Sequence, residues 1–382
     1  MHTNAQIPPN TDTDTDTDTE VQLNTEQHQP PTPIFKSLRW LDRFLALWIS
    51  LAMLTGILLG NFAPRTGEVL DQGRWVGVSI PIAIGLLVMI YPILCNVRYE
   101  TLHVILGKTA LWKQVAFSLV LNWLIAPFFM LALAWAFLPD EPNLRSGLIL
   151  VGLGRCIAMV LIWNNLAGGD PRYCAVLVAI NSMLQMVLFA PLAVLFISVV
   201  GGSDGSDESK IHYPSYSLVA TSVGVFLGIP LGAAILTRLV LRRLAGETWF
   251  EGVFMKFLSP LSLIGLLYTI IVLFAAQGKH VSHQVVSVVR VAAPLVVYFL
   301  VIFFATLWAA RRLGYGYRLS CTQSFTAASN NFELAIAVAI ATFGADSEEA
   351  LAATVGPLIE VPVLVGLVYV VRWIGMRRKW AD

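Results

Sequence analysis

GLGRCIAMVLIWNNLAGGD, Gly152–Asp170, is the stretch whose reading decides the fold. Its first two-thirds have the apolar character of a helix that belongs in a bilayer. Yet they carry Arg155 and Cys156, and the segment ends in Asn164-Asn165 and a pair of glycines. A charge at the bilayer centre costs about 2.5–3.5 kcal/mol on insertion scales, so an arginine there needs a structural or chemical reason. A helix that dissolves into amides and glycine leaves backbone groups that lipid cannot satisfy. Such a stretch must line a cavity or pack inside protein.

The rest of the chain has the same character. Of 382 residues, 57% are hydrophobic and only 13% charged, against about 25% charged in an ordinary soluble domain. Crossing a bilayer takes about 20 apolar residues. Stretches of that kind fall at roughly 42–60, 75–97, 113–137, 144–167, 173–200, 216–240, 255–276, 289–310, 320–343 and 351–374. The expected fold is an all-α integral membrane protein with ten transmembrane helices. Residues 1–37 differ: NTDTDTDTDTE (Asn10–Glu20) and QHQPPTP (Gln27–Pro33) cannot bury apolar surface and read as a disordered acidic cytoplasmic tail. This segment lacks the basic start and early apolar core of a signal peptide.

Basic residues orient the spans. With the N-terminus inside, eighteen of the 25 Lys and Arg residues fall in inner segments and six in outer ones, with Arg155 in the membrane. The acidic stretches Ser203–Ser209 and Asp346–Glu349 then lie outside. Both termini are expected in the cytoplasm, 377–382 forming the C-terminal end. The net charge of +1 gives no reason to expect a nucleic-acid partner. Cys95, Cys156, Cys174 and Cys321 show no zinc-type spacing, so neither a disulfide framework nor a structural metal is expected, and no cofactor.

Ten spans divide into two halves of five, 38–200 and 215–376, joined by the acidic segment 201–214. Short matches recur in order: Gly56–Gly60 with Gly228–Gly232, Ile84–Leu87 with Ile264–Leu267, Ala126-Pro127 with Ala293-Pro294, and Asn164-Asn165 with Asn330-Asn331. An odd number of spans per half makes the repeats inverted, the architecture of secondary transporters whose site lies at midplane where broken helices meet. The fourth and ninth helices, which carry the Asn-Asn pairs, are the expected discontinuous ones.

Three ionisable residues fall well inside spans: Arg155, Glu333 and Glu360. Glu333 follows Asn330-Asn331 in SFTAASNNFELAIAVAIATFG (Ser324–Gly344) and reads as a proton or cation site, the alternative being a structural ion pair with Arg155. Arg155 stays protonated, so it is a fixed countercharge or a backbone brace. Glu360, in GPLIEVPVL (Gly356–Leu364), either caps freed carbonyls in its acid form or couples ions. Cys156 is either a small buried hydrophobe or a reactive thiol beside a cation. Asn164, Asn165, Asn330 and Asn331 are expected to line the site. Asn122, Asn181 and Gln185 are expected to bond between helices.

Together, GLGRCIAMVLIWNNLAGGD, NNFELAIAVAIATFG and GPLIEVPVLVGLVYV resemble the arsenite efflux permease family of the bile acid/arsenite/riboflavin transporter superfamily. The likeness covers about residues 38–376. It implies ten spans in an inverted repeat, divided into panel and core domains, in a plasma-membrane protein of arsenical resistance that expels As(III), and in some members Sb(III). It implies that the required cysteine of the fourth span is Cys156, that the carboxylates of the ninth and tenth spans are Glu333 and Glu360, and that proton antiport drives the cycle. Gly154 departs from the alanine expected before the Arg-Cys pair. Arsenous acid is neutral at pH 7 and thiophilic. Three thiols would trap it, whereas one permits capture and release, with amides holding the remaining hydroxyls.

Two other readings stand beside this one. A sodium-coupled organic anion symporter of the same superfamily would use the amides and glutamates for sodium and would not need Cys156. An intramembrane cysteine enzyme would need a base such as histidine, and the six histidines all lie in the tail or in loops.

Overall fold

The computed structural model describes residues 44–63, 69–70, 73–97, 99, 109–157, 159–200, 214–276, 285–378 and 380. The acidic tail 1–37 and the acidic stretch Ser203–Ser209 lie outside these residues.

The chain is helical almost throughout. Helices α1 (Leu45–Phe62) and α2 (Ile80–Cys95) are followed by α3 (109–137), α4 (Pro142–Leu153), α5 (Met159–Ala167) and α6 (171–200). Then come α7 (216–245), α8 (247–276), α9 (Val285–Arg312), α10 (Tyr317–Ala328), α11 (Phe332–Phe343) and α12 (Glu348–Arg378). One departure from an all-helical chain is a small hairpin before α2, Arg74–Trp75 paired antiparallel with Val78–Ser79. Its two central residues, Val76 and Gly77, both have positive φ, as a two-residue type I′ turn demands.

Among the described residues, six helices are long and apolar enough to cross a membrane: Trp112–Phe137, Pro171–Ser198, Tyr216–Ala245, Glu247–Ala275, Val286–Arg312 and Glu348–Arg377. Shorter apolar helices cover Leu47–Phe62, Ile80–Cys95 and Phe332–Phe343. Large side chains such as Leu54, Ile84, Phe257, Trp308 and Trp373 are exposed. In water they would form an aggregating surface; against lipid tails they are matched to their solvent.

The long helices widen locally into π turns. Leu121–Ile125 in α3 and Gly224–Gly228 in α7 each lie just before a proline, Pro127 and Pro230. A proline lacks the N–H that closes the preceding turn and crowds its carbonyl, so the helix relaxes there.

The helices pack in two groups. In one, α8 lies along α1 and α2, and the second half of α7 packs on α2, while the first half of α7 packs on α6 and α11. Glycine sets the spacing: a Cβ on Gly265 of α8 would come 2.7 Å from the Met89 nitrogen and 3.1 Å from the Gly85 carbonyl oxygen of α2. The two Ile-Gly-Leu-Leu stretches that match in sequence therefore meet face to face. In the other group, α9 packs on α3, α10 and α12, and α12 also packs on α4, α5 and α11.

Two basic residues counted as loop charges are buried instead. Arg238 lies inside α7 and donates from Nη1 to the Cys95 carbonyl at 2.9 Å and from Nη2 to Glu251 at 3.1 Å. Arg145 lies in the first turns of α4, donates to the Leu138 and Pro139 carbonyls, and stacks on Trp135. Both use the planar guanidinium to gather carbonyls at helix ends, which a sequence count of charges does not register.

Candidate functional site

The expected fourth and ninth spans are each two half-helices. Between α4 and α5 the chain leaves helical geometry at 154–157; between α10 and α11 it does so at Ser329–Asn331. A helix end leaves its last carbonyls and its first N–H groups without intrahelical partners. In the membrane interior each must find another partner.

The two breaks satisfy each other. Arg155 and Asn330 form an isolated antiparallel β-bridge, and the Asn331 N–H donates to the Gly154 carbonyl at 3.1 Å. The carbonyls at the end of α4 are met by side chains: Asn330 Nδ2 donates to the Val151 oxygen at 2.7 Å, and Arg155 Nη2 donates to the Gly152 oxygen. At the end of α10, Tyr298 of α9 donates to the Ala327 oxygen at 3.3 Å and accepts from Arg155 Nη1 at 3.2 Å. The freed N–H groups are met in turn. Arg155 N–H donates to Gln185 Oε1 at 3.0 Å, and Asn330 N–H to Glu360 Oε1 at 3.3 Å. Leu334 N–H donates to Asn331 Oδ1 at 3.1 Å, which caps α11. Val160 N–H donates to Cys156 Sγ at 3.3 Å at the start of α5.

Gly154 stands where the breaks touch. A Cβ there would lie 2.6 Å from the Asn331 carbonyl oxygen, so the close approach of the two backbones requires glycine in this geometry. That accounts for the departure from the alanine expected at this position.

Arg155 is completely buried. Its Nη1 and Nη2 donate to Tyr298 and Gly152, and among the described residues it forms no ion pair with Glu333 or Glu360. Of the two roles open in the sequence, countercharge and brace, its hydrogen bonds are those of a brace. Glu360 is buried on α12. Glu333 is half-buried in the first turn of α11. Cys156 is buried, one residue beyond the bridge.

The first Asn-Asn pair is elsewhere. Asn164 sits in α5 well past the break, where its Oδ1 accepts from Thr322 at 2.8 Å and its carbonyl accepts from the Gly169 N–H. Thr322 also accepts from the Asp170 N–H at 3.0 Å. Asn165 is exposed. The sequence match of Asn164-Asn165 with Asn330-Asn331 therefore pairs unlike places: at the crossing, Asn330 faces Arg155.

Three residues not singled out for the site belong to it: Gln185, Tyr298 and Ser329. Gln185 was expected to bond between helices, which it does, but onto the backbone of the break. Tyr298 carried no distinguishing signal inside the apolar run of α9. Ser329 precedes the Asn-Asn pair and could have been found as the residue that ends α10. Its hydroxyl lies against the Glu360 carboxyl, whereas Asn330 Oδ1 and Arg155 Nε are buried without a hydrogen-bond partner. The remaining cysteines, Cys95, Cys174 and Cys321, are fully buried within α2, α6 and α10.

Away from the site, Arg290 of α9 donates to Glu141 at 3.0 Å and to Asp140 in the turn between α3 and α4. The Arg290 hydrogen bond holds the Asp140 carboxyl below the usual carboxylate range.

Residues 83–284 match the model of the Sodium Bile acid symporter family. The chain is 49% identical over 336 residues to the arsenical-resistance protein Acr3 of Corynebacterium glutamicum, an alignment that covers 88% of this chain and 90% of that protein. It is 31% identical to the arsenical-resistance protein Acr3 of Alkaliphilus metalliredigens, over 87% of this chain and 92% of that one. It is 34% identical to an uncharacterized transporter of Synechocystis, over 87% and 88%.

Proposed function

Because the chain belongs to the arsenite efflux permease family, whose members are transporters and not enzymes, we propose that it exports arsenite from the cytoplasm by secondary active, metalloid/proton antiport. Antimonite, the heavier thiophilic congener, is the second substrate. The observation that carries the reading is the pair of buried, unpartnered polar atoms at the crossing, Asn330 Oδ1 and Arg155 Nε, on the two bridged residues, one of which adjoins Cys156. An orphaned buried polar group costs about 1–3 kcal/mol, and a neutral trihydroxy solute supplies both donors and acceptors to such groups.

Chemistry at the thiol follows. The Cys156 sulfur forms a bond to arsenic as one arsenic–oxygen bond breaks, and the thiol proton leaves with the hydroxide as water. Arsenic stays at the +3 state, so no oxidant or reductant is involved. The remaining two hydroxyls bond to the amide and hydroxyl groups of Asn330 and Ser329, and hydrolysis of the sulfur–arsenic bond releases the metalloid. Among the described residues, no three His, Cys, Asp or Glu side chains gather into a metal-holding group, and a single thiol gives up arsenic more readily than three. Arg155 and Asn331 hold the breaks in place. Asn164 and Asn165 line the inner end of α5, further from the thiol. Glu333 and Glu360 exchange protons as the site turns from one face to the other.

The proposed architecture is ten crossings in two inverted five-helix repeats, 38–200 and 215–376, with α4–α5 and α10–α11 as the discontinuous fourth and ninth. In it α1, α2, α7 and α8 form the panel and the other helices the core; the packing of α8 along α1 and α2 supports that division, and α7 joins the two through its contacts with α2, α6 and α11. Both termini lie in the cytoplasm, in keeping with the excess of basic residues in the inner segments, and the membrane is taken as the plasma membrane from the family resemblance alone.

The test is As(III) uptake into everted vesicles with an imposed pH gradient, in sodium and again in choline. Gradient-driven uptake that persists in choline supports proton antiport. Uptake that requires sodium and ignores the pH gradient supports the sodium-coupled alternative instead.

A further inference from the structure

Gln185 lies near the middle of α6 and is completely buried. Its amide oxygen and nitrogen both bond to one residue of another segment. Oε1 accepts from the Arg155 N–H at 3.0 Å, and Nε2 donates to the Arg155 carbonyl at 2.9 Å. The same oxygen accepts from Asn331 Nδ2 at 3.3 Å. A planar amide that takes both the N–H and the C=O of a single residue reproduces what a neighbouring strand does in a hydrogen-bonded pair of an antiparallel ladder.

The break at 154–155 thus has two edges, and both are occupied. The backbone of Asn330 and Asn331 fills one, through the bridge to Arg155 and the bond to the Gly154 carbonyl. Gln185 fills the other, and its bond to the Asn331 side chain ties the two edges together. Cys156 follows immediately. Arg155 fixes the chain just before the thiol, and the Val160 N–H meets the sulfur just after it.

We infer that Gln185 is a positioning residue for transport: its side-chain amide acts as a one-residue strand that fixes the α4–α5 break and so places the Cys156 thiol at the crossing. It acts through Arg155 and does not touch the metalloid. A glutamine kept only to glue two helices together would need one bond to a neighbouring side chain; three bonds onto the two breaks, two of them on one peptide residue, specify a register. The inference deepens the thiol reading of the function and rests on it for its consequence in transport, but the geometry it asserts can be tested separately.

The experiment uses the full chain with Cys95→Ser, Cys174→Ser and Cys321→Ser, leaving Cys156 as the sole thiol. Two variants are compared with this parent, Gln185→Leu and Gln185→Glu, each first checked for insertion and for melting in detergent. Two quantities are read: the rate at which N-ethylmaleimide labels Cys156, with and without arsenite, and the KM and maximal rate of arsenite transport. Gln185→Leu removes all three bonds. It is expected to change the labelling rate about tenfold and to raise KM by a similar factor, with a smaller change in maximal rate. Gln185→Glu keeps the shape. In its acid form it can accept from the Arg155 N–H and donate to the Arg155 carbonyl; as a carboxylate it can only accept. Its labelling rate relative to the parent should therefore return toward the parental value as pH falls. The other charged groups at the crossing, Arg155, Glu333 and Glu360, are common to parent and variant, so the ratio isolates position 185. Loss of melting temperature with unchanged labelling and KM in both variants overturns the inference, because it is what a merely structural glutamine would give. Failure of arsenite to slow labelling in the parent overturns the thiol reading instead, so the two failures are distinguishable.

Discussion

Arg155 and Asn330, which come from opposite halves of the chain, pair backbone to backbone as an isolated antiparallel bridge in the middle of an otherwise helical protein. The guanidinium of Arg155 then turns back to the Gly152 carbonyl and out to the Tyr298 hydroxyl. These hydrogen bonds are those of a brace for an unwound turn.

Arg155→Lys keeps the charge but loses the planar fork that reaches two partners at once. Each lost hydrogen bond to a charged group is worth about 1.5–3 kcal/mol. Both Arg155→Lys and Arg155→Gln are expected to lose transport and to melt at lower temperature in detergent. Substantial transport by Arg155→Lys at normal stability would show that charge, and not bracing, is what the site uses.

Cys156→Ser should insert and fold but not transport As(III), because a hydroxyl has little affinity for arsenic. Cys95→Ser, Cys174→Ser and Cys321→Ser should each transport, since these side chains are buried within α2, α6 and α10, away from the breaks. Parental rates from Cys156→Ser vesicles would defeat the thiol mechanism.

Glu333→Gln preserves shape and removes titration. It is expected to abolish the response of transport to an imposed pH gradient while leaving metalloid binding measurable. Glu360→Gln retains an oxygen for the Asn330 N–H, so it should keep the crossing intact, whereas Glu360→Leu should destabilise it. A Glu333→Gln protein that still follows the gradient would assign the coupling to Glu360.

Gly265→Val tests the crossing of α2 and α8. With the Met89 backbone and the Gly85 carbonyl already within contact of a Cβ, the helices must separate, at a cost of about 1–3 kcal/mol. Lower melting temperature with unchanged KM for arsenite is the expected outcome; a change in KM would mean that this interface also sets the site.

Asp140 gives a pH dependence with a definite sign. Its carboxyl is held below the usual range by the hydrogen bond from Arg290, so its contribution to stability is present at neutral pH, above the unfolded value. It is lost as pH falls through the folded value. Asp140→Asn should leave melting less sensitive to acid in that range and transport at pH 7 unchanged. Because the pair is exposed, the effect is also expected to shrink with added salt.

The sequence by itself determined the class of protein. Apolar stretches separated by basic and acidic loops leave no choice but a helical membrane protein, because only helices satisfy their own backbone in lipid. It also marked Arg155, Cys156, Asn330, Asn331, Glu333 and Glu360, since charge, thiol and amide are conspicuous against an apolar background. Tertiary structure decided what those residues do to one another. Asn164-Asn165 and Asn330-Asn331 look alike as strings, yet one sits deep in α5 and the other in a break. A dipeptide does not record where a helix opens. Gln185 and Tyr298 were legible only as residues of ordinary helices. Their partners are the backbone carbonyls and N–H groups of a distant segment, and every residue has those groups, so no side-chain pattern can point to them. The unwinding of one helix is tolerable only where another unwound helix, an amide and a tyrosine arrive to meet its freed backbone, and that meeting is fixed by the packing of the whole chain.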